Sequence, residues 1–206
     1  DNDDFPDKNS LDGGLAELRL VREPVLTSAL RVPADHATIQ AAIDAAASGD
    51  TILVAPGTYS GPIDLGAKSL ALVSEHFLTG DAETITNTVI DGAGGEYVVR
   101  VGDPELAGAG RCLIHGFTIQ NASDGITSTD AFDLAYCRVT DTSDGIDYEA
   151  GGGTVRFCTF DHNSDDAIDL DGPTAVLVEQ CHLTDNGDDG IEIRLHPYAG
   201  TDTLRI

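Results

Sequence analysis

The stretch Ser143–Arg194 decides the fold: SDGIDYEAGGGTVRFCTFDHNSDDAIDLDGPTAVLVEQCHLTDNGDDGIEIR. It repeats one motif three times, an aspartate followed by glycine or alanine, isoleucine, an acidic residue and an apolar residue. An earlier copy, SDGITSTDA, begins at Ser123. The leading aspartates are Asp124, Asp144, Asp166 and Asp189, so by subtraction successive copies lie 20, 22 and 23 residues apart. A period of this length is typical of a solenoid, in which each repeat packs on the next.

Apolar residues keep the same register as these aspartates. Alternate residues of a β-strand lie on one face, so three sets of apolar side chains are predicted to stack inside the molecule. The sets are Phe117, Cys137, Cys158 and Cys181; Ile119, Val139, Phe160 and Leu183; and Ile126, Ile146, Ile168 and Ile191. The residues predicted to point outward are Thr127, Asp147, Asp169 and Glu192, then Thr129, Glu149, Asp171 and Arg194. The outer face is therefore predicted to be rich in carboxylates.

The repeats indicate β-structure rather than helices. A helical array would need apolar residues three and four positions apart, whereas these runs are short, β-branched and bounded by Gly, Asn and Asp. From about Arg31 to the C-terminus, the chain resembles the right-handed parallel β-helix proteins of the pectin-lyase-like superfamily. The resemblance implies an all-β fold, a single-stranded right-handed parallel β-helix solenoid, and a function among carbohydrate-binding proteins and sugar hydrolases.

The segment before the repeats predicts an N-terminal cap. Residues 1–30 are expected to form an acidic leader and packing segment, and residues 31–206 the β-helix domain. Thr38 is placed to cap a short helix that ends at Ser48-Gly49 and would cover the open end of the first coil. Its apolar face would hold Ile39, Ala42, Ile43 and Ala46.

Three glycine-rich or inserted segments are predicted to be irregular. The insertions at 76–87 and 102–110 interrupt the strands, and insertions into a solenoid usually form loops on one side. The run Gly151–Gly153 is predicted to be a tight turn, because no lysine follows it and the acidic surroundings are wrong for a phosphate.

The net charge of the chain indicates which classes of partner are expected. Its 206 residues include 36 Asp and Glu against 11 Lys and Arg, for a formal net charge of −25. Such a chain repels phosphate backbones, so nucleic acid is not an expected partner, whereas cations are. No apolar run approaches the ~20 residues of a membrane-spanning helix, so membrane insertion is not expected. Acidity and the family resemblance together imply an extracellular or cell-surface location.

Stacked outward carboxylates predict a bound cation. Side chains on successive coils are ~4.8 Å apart, and two carboxylates at ~5 Å repel by roughly 3 kcal/mol at an effective dielectric near 20. Ca²⁺ accepts about six to eight oxygen ligands in flexible geometry. The expected ligands are Asp147, Asp169, Asp171 and Glu192. The alternative is that these carboxylates are only solvated and are screened by Arg194.

Two segments of the repeats resemble motifs of polygalacturonases. Residues 163–169 are similar to the Asn-Thr-Asp element of that family, and residues 187–194 to its Gly-Asp-Asp element. The resemblance implies Asp166, Asp188 and Asp189 as the catalytic acid and base carboxylates. The Gly-His-Gly and Arg-x-Lys elements of the family are absent from the sequence.

A polysaccharide is the expected partner of this region. Arg194, His196 and Tyr198 lie at or just after the last acidic strand and are predicted to contact it, the ring of Tyr198 by stacking on a sugar. Polysaccharide lyase activity is the other enzymatic interpretation, and it needs a base. The arginines among the repeats are poor bases at their ordinary pKa. They are Arg138, Arg156 and Arg194.

The cysteines are predicted to be free thiols that fill the inward ladder as small apolar groups. Cys137, Cys158 and Cys181 would stack ~4.8 Å apart, so a disulfide between neighbours is geometrically possible. A zinc site is not expected, because no Cys-x-x-Cys pair occurs.

A non-enzymatic function remains the alternative to carbohydrate processing. Residues 203–206 correspond by register to the start of another strand. We expect either that more protein follows or that this open end stacks on another molecule. A structural or adhesive solenoid could then associate end to end through the Leu204–Ile206 edge.

Overall fold

The computed structural model describes residues 28–103 and 110–194, and the backbone alone of residues 203–205. Its helices are α1 (Ile39–Ala45), α2 (His76–Thr79) and α3 (Ala82–Asn87). Its strands are β1 (Leu30–Val32), β2 (Thr51–Val54), β3 (Gly57–Ser60), β4 (Ile63–Asp64), β5 (Ala71–Ser74), β6 (Thr88–Val101), β7 (Cys112–His115), β8 (Thr118–Ser128), β9 (Ala131–Ala135), β10 (Arg138–Thr140), β11 (Asp144–Tyr148), β12 (Gly151–Arg156), β13 (Thr159–Asp161), β14 (Ile168–Asp171), β15 (Thr174–Glu179), β16 (His182–Thr184), β17 (Glu192–Arg194) and β18 (Thr203–Arg205).

The strands wind into coils with three faces. The first face is an eight-stranded parallel sheet in the order β1-β2-β5-β7-β9-β12-β15-β18. The long strand β8 bends across the other two faces, because residues 118–120 pair with β10 while residues 124–128 pair with β11. The second face thus holds β3, β10, β13 and β16, and the third face holds β4, β11, β14 and β17. The predicted all-β parallel β-helix is confirmed.

The predicted inward ladders are in register. On the second face Ile119 pairs with Val139, and Val139 with Phe160. On the third face Ile126, Ile146 and Ile168 are paired in the same way. These side chains are fully buried, while the members in the last described coil, Cys181, Leu183 and Ile191, are half-buried against the core. Burying one large aliphatic side chain contributes ~1.5–3 kcal/mol, so these stacks add to the cohesion between coils.

The N-terminal helix forms where it was predicted. Thr38 Oγ1 accepts a hydrogen bond from the N–H of Ala41 at 3.1 Å, and the predicted apolar face of α1 is buried. The helix packs on β1, β2 and β4. It ends at Ala45 rather than at Ser48-Gly49. Lys68 Nζ donates to the carbonyl oxygens of Ile43 at 2.7 Å and Asp44 at 3.1 Å, and so satisfies two carbonyls of the last turn.

The prediction of a tight turn at Gly151–Gly153 is wrong. These residues begin strand β12, which lies between β9 and β15 in the first face. A Cβ on Gly153 would lie 1.7 Å from the carbonyl oxygen of Phe132, and one on Gly152 would lie 2.1 Å from that of Ala175. The glycines are therefore required by close contact between neighbouring strands, which the sequence pattern does not show.

The insertion at 76–87 contains helices α2 and α3 rather than an irregular loop. Gly80 adopts φ 65° at the end of α2, and Asp81 caps α3 by accepting a hydrogen bond from the N–H of Glu83 at 3.0 Å. Residues 104–109 of the other insertion, and residues 1–27 of the predicted leader, lie outside the described ranges. None of the described helices has the length and apolar character needed to cross a membrane.

Candidate carboxylate site

A column of aspartates runs along the solenoid where each coil enters the third face; we call Asp124, Asp144, Asp166 and Asp189 the turn column. Asp144 Oδ1 accepts a hydrogen bond from the N–H of Asp166 at 3.1 Å, and Asp166 Oδ1 accepts one from the N–H of Asp189 at 2.7 Å. Asp166 is only 2% exposed. Because a buried N–H without an acceptor is costly, these carboxylates tie each coil to the next.

A buried ladder of polar side chains precedes the turn column by a few residues. Thr142 Oγ1 donates to Asn163 Oδ1 at 2.6 Å, and Asn163 Nδ2 donates to Asn186 Oδ1 at 3.0 Å. Asn186 Nδ2 in turn donates to the carbonyl oxygen of Phe160 at 3.2 Å. Sequence interpretation assigned Asn163 to a catalytic motif and missed this ladder, although separations of 21 and 23 residues between its members carry the signal.

A second acidic column lies on the third face itself. Strand pairing brings together Asp64, Arg100, Thr127, Asp147, Asp169 and Glu192, which we call the outer column. The predicted stacking of Asp147, Asp169 and Glu192 is thus confirmed. Arg100 forms an ion pair with Asp64 at one end of the column, and Arg194 pairs with Glu192 at the other.

Asp169 is the most unusual member of the outer column. Its Oδ2 accepts a hydrogen bond from Arg194 Nη1 at 3.0 Å. Its Oδ1 is buried and has no hydrogen-bond partner in the described part of the chain. The residue is 6% exposed, so its outward position on the third face does not leave it open to solvent. Arg194 from the next coil helps to cover it, in line with the screening by this arginine that the sequence offered as an alternative.

Burial raises the pKa of three carboxyl groups near this column. Asp124, Asp147 and Asp169 each have a pKa raised to about 6, mainly because burial disfavours the charged form. Neighbouring carboxylates add to the effect, Asp124 on Asp147 and Asp171 on Asp169, while Arg194 partly opposes it at Asp169. A carboxyl group with such a pKa carries a proton for part of the time near neutral pH and can serve as a general acid.

Among the described residues, two sets of three carboxylates lie close enough to share a cation. In each set the ligand oxygens lie within 4.8 Å of one another, and the sets are Asp166, Asp169 and Glu192, and Asp165, Asp166 and Asp188. We call the first set the Asp169 site. It is the better candidate, because it contains the buried oxygen without a partner, whereas two of the three residues in the second set are exposed. Oxygen-only ligands suit Ca²⁺ rather than softer ions.

Two of the four predicted calcium ligands belong to the Asp169 site, and the other two do not. Asp169 and Glu192 belong to the Asp169 site. Asp147 shares their column but belongs to neither set, and Asp171 pairs with the position of Arg194, whose Nη1 lies 3.8 Å from its Oδ1.

The predicted catalytic and substrate-binding residues lie in different parts of the structure. Asp166 is common to both carboxylate sets, Asp188 is exposed in the second, and Asp189 is exposed and contributes its N–H to Asp166. Arg194 lies at the Asp169 site. His196 and Tyr198 lie outside the described residues.

A cluster of rings on the first face was not predicted. His76 Nδ1 and His115 Nε2 are 3.0 Å apart, and both imidazoles lie about 5.1 Å from the ring of Tyr136. Tyr136 in turn stacks on Phe157 with ring centroids 4.8 Å apart. Burial, with His76 and Arg156 nearby, lowers the pKa of His115 to about 4. The two imidazoles are therefore neutral and hydrogen-bond to each other, and this pair has a structural role.

Comparison with known proteins identifies the architecture. Residues 77–195 match the family described as right handed beta helix region. The chain belongs to this family. No curated protein and no solved structure matches it. Family membership is consistent with a polysaccharide-related or a structural β-helix module.

Proposed function

We propose that this chain is an extracellular β-helix module that binds or processes polysaccharide and holds Ca²⁺ at the Asp169 site. The observation that carries the proposal is the buried Oδ1 of Asp169, which has no hydrogen-bond partner among the described residues and belongs to a group of three converging carboxylates. A buried carboxylate oxygen without a partner is costly even when Arg194 pairs with the other oxygen, and a cation at this position would reduce the cost.

The donor set favours calcium among the common cations. All three candidate ligands are carboxylates, and the set contains neither the histidine nor the cysteine that zinc prefers. Ca²⁺ accepts about six to eight oxygens, so three protein residues leave positions for water or for a substrate. Arg194 already neutralises part of the charge, so a cation would compete with its guanidinium group. Such competition suits the weak calcium sites of extracellular modules, which bind at roughly 0.1–1 mM.

The same charge supports an acidic polysaccharide as the partner. The chain carries a net charge of −25 and would repel a polymer of uronic acids, unless a cation bridges the two. The open coordination positions of Ca²⁺ can accept a sugar carboxylate. Asp147 neighbours Asp169 in the outer column, and its pKa of about 6 would allow it to protonate a glycosidic oxygen if the module also processes its ligand.

The calcium part is tested by thermal unfolding in EDTA and in millimolar CaCl₂. We expect Ca²⁺ to raise the melting temperature of the wild-type protein and to have no such effect on Asp169→Asn. Asp147→Asn is the matched control, because it removes a carboxyl of similar pKa from the same column but outside the Asp169 site. An equal effect of NaCl, or an undiminished response in Asp169→Asn, would contradict the site.

The polysaccharide part needs a separate measurement. Calorimetric titration with an acidic and with a neutral oligosaccharide, each with and without Ca²⁺, should show binding of the acidic ligand only when Ca²⁺ is present. Asp169→Asn should abolish that binding. If Ca²⁺ stabilises the protein but neither sugar binds, the cation site stands and the polysaccharide assignment fails.

The structural alternative rests on the C-terminal edge. Strand β18 pairs with β15 as the register predicted, but the side chains of the Leu204–Ile206 edge lie outside the described part of the chain. End-to-end self-association therefore stays a prediction. Sedimentation at increasing protein concentration tests it, and Leu204→Asp should abolish any concentration-dependent assembly.

A further inference from the structure

Two cysteines occupy the same position on successive coils, immediately before β13 and β16. The residues after Cys158 and Cys181 are paired in register, and the N–H of His182 donates to the carbonyl oxygen of Cys158 at 2.9 Å. Equivalent residues on adjacent strands lie ~4.8 Å apart, within the ~4.4–6.8 Å between Cα atoms that a disulfide spans. Both residues are free thiols in the structure; Cys158 donates to the carbonyl oxygen of Arg156 at 3.2 Å, and Cys181 Sγ lies 3.4 Å from the carbonyl oxygen of Glu179.

The two thiols differ in access and in acidity. Cys158 is fully buried, whereas Cys181 is half-buried and lines an open hollow with Val178, Leu183 and Ile191. The adjacent Cys158 thiol lowers the pKa of the Cys181 thiol to about 7, while burial raises the pKa of Cys158 well above its ordinary value. Because the thiolate is the reactive form, Cys181 is the thiol that attacks first.

The neighbouring cysteine in the same ladder lacks these properties. Cys137 precedes Cys158 by one coil, and its backbone carbonyl accepts a hydrogen bond from the N–H of Thr159 at 2.9 Å, so its placement relative to Cys158 is equivalent. It is buried, and burial raises its pKa to about 12. Position in the ladder therefore does not distinguish the two possible pairs, whereas exposure and acidity do.

We propose that Cys158 and Cys181 form a thiol–disulfide exchange site, which reacts with a low-molecular-weight disulfide and closes a cross-link between successive coils. The Cys181 thiolate attacks one sulfur of the small disulfide, forms a mixed disulfide and releases one small thiolate. The Cys158 thiol then loses its proton and attacks the Cys181 sulfur, which forms the protein disulfide and releases a second small thiol. The small disulfide gains two electrons, and the protein thiols lose two.

The cross-link would covalently hold the outermost strand of the second face. In the described part of the chain β16 pairs with β13 alone, and its neighbours Leu183 and Ile191 are only half-buried. Fewer buried contacts allow local opening at low free-energy cost. A disulfide at this place removes that freedom, and it is compatible with an oxidising extracellular compartment.

The test is incubation of the full chain with oxidised glutathione, followed by thiol counting in denaturant and peptide mapping. We expect the four thiols to fall to two, with a Cys158–Cys181 cross-linked peptide. The melting temperature should rise by roughly 5–10 °C and return on reduction.

Three serine variants identify the partners. Cys137→Ser should still form the cross-link, whereas Cys181→Ser should retain its three thiols. Cys158→Ser should stop at a single glutathione adduct on Cys181. Four persistent thiols in the wild-type protein, a glutathione adduct without a cross-link, or a Cys137–Cys158 cross-link would each overturn the proposal.

Discussion

The repeated motif places acidic residues three positions apart, one in the turn column and one in the outer column. The two columns have different roles. In the turn column, Asp144 and Asp166 accept hydrogen bonds from the backbone N–H groups of the next coil. In the outer column, Asp147 has a raised pKa and Asp169 keeps a buried oxygen without a hydrogen-bond partner among the described residues. A repeated aspartate can therefore stabilise a solenoid or destabilise it, depending on how fully its oxygens are hydrogen-bonded by the next coil.

This comparison suggests where function lies. A carboxylate that accepts a backbone N–H of its own fold uses one oxygen for structure. Removing that carboxylate mainly lowers the stability of the protein. A carboxylate that is held near others with one buried oxygen lacking a donor stores unfavourable free energy that a ligand can release. Asp166 belongs to both categories, because it accepts the N–H of Asp189 and also lies in the Asp169 site.

The largest expected effect is in the glycine that follows the turn-column aspartate. A Cβ on Gly145 would lie 2.5 Å from the carbonyl oxygen of Ala167 and 2.7 Å from the ring of Phe160. A Cβ on Gly190, at the equivalent step of a later repeat, would meet Leu183 at an ordinary 3.6 Å. We expect Gly145→Ala to lower the free energy of unfolding by about 2–3 kcal/mol, and Gly190→Ala to leave it within about 1 kcal/mol.

Urea denaturation of both glycine variants checks this prediction. The two substitutions change the unfolded chain in the same way, so their difference reports on contacts between coils. Equal losses would show that the turn column does not require close approach at Gly145.

The next effect separates the hydrogen bond of Asp166 from its charge. Asp166→Ala removes a buried carboxylate that accepts the Asp189 N–H, and should cost about 1–3 kcal/mol. Asp166→Asn keeps an oxygen acceptor, and should cost less than the alanine variant. Chemical denaturation in EDTA measures both without a contribution from calcium. If the two variants are equally unstable, the charge matters and the backbone hydrogen bond does not.

The outer column should respond in the opposite direction. Asp147 has a folded-state pKa of about 6, above its ordinary 3.8, so the folded protein binds more protons than the unfolded chain between these values. Its contribution to stability is present below pH ~4 and is lost as the pH rises through ~6. Asp147→Asn should therefore be more stable than wild type at pH 7.5 by on the order of 1 kcal/mol, after allowance for solvent screening.

Unfolding free energies at pH 4.5, 6 and 7.5 in EDTA test the direction of this effect. The advantage of Asp147→Asn should grow with pH. A difference that stays constant across the range, or that shrinks, would mean that Asp147 ionises without hindrance in the folded protein.

The smallest expected change is at Arg194, whose side chain is exposed. Its exposed ion pairs with Asp169 and Glu192 are screened by solvent, so Arg194→Gln should lose less stability in EDTA than the variants above. The same variant should show a larger rise in melting temperature with Ca²⁺, because the competing cation is gone. An unchanged calcium response would show that Arg194 and the ion do not share the Asp169 site.

The sequence was sufficient to predict the features of the fold that depend on strand geometry alone. The period of the repeats and the alternation of side chains predicted the parallel β-helix, the inward ladders and the stacking of Asp147 on Asp169. It failed at Gly151–Gly153, where close contact with both neighbouring strands requires glycine in a strand. It also missed the Thr142–Asn163–Asn186 ladder, since these residues resemble ordinary turn residues when each repeat is considered alone.

The amino acids were sufficient to show which residues stack, because a repeat of 20 to 23 residues and an alternation of two leave only one register that buries the apolar side chains. The role of each stacked carboxylate depended on the folded molecule. Asp166 and Asp169 differ only in what the next coil presents, a backbone N–H to one and the Arg194 guanidinium with a second carboxylate to the other. Burial and hydrogen bonding across coils exist only in the assembled solenoid. They decide whether an aspartate of the repeat accepts a structural hydrogen bond, is a candidate cation ligand, or does both.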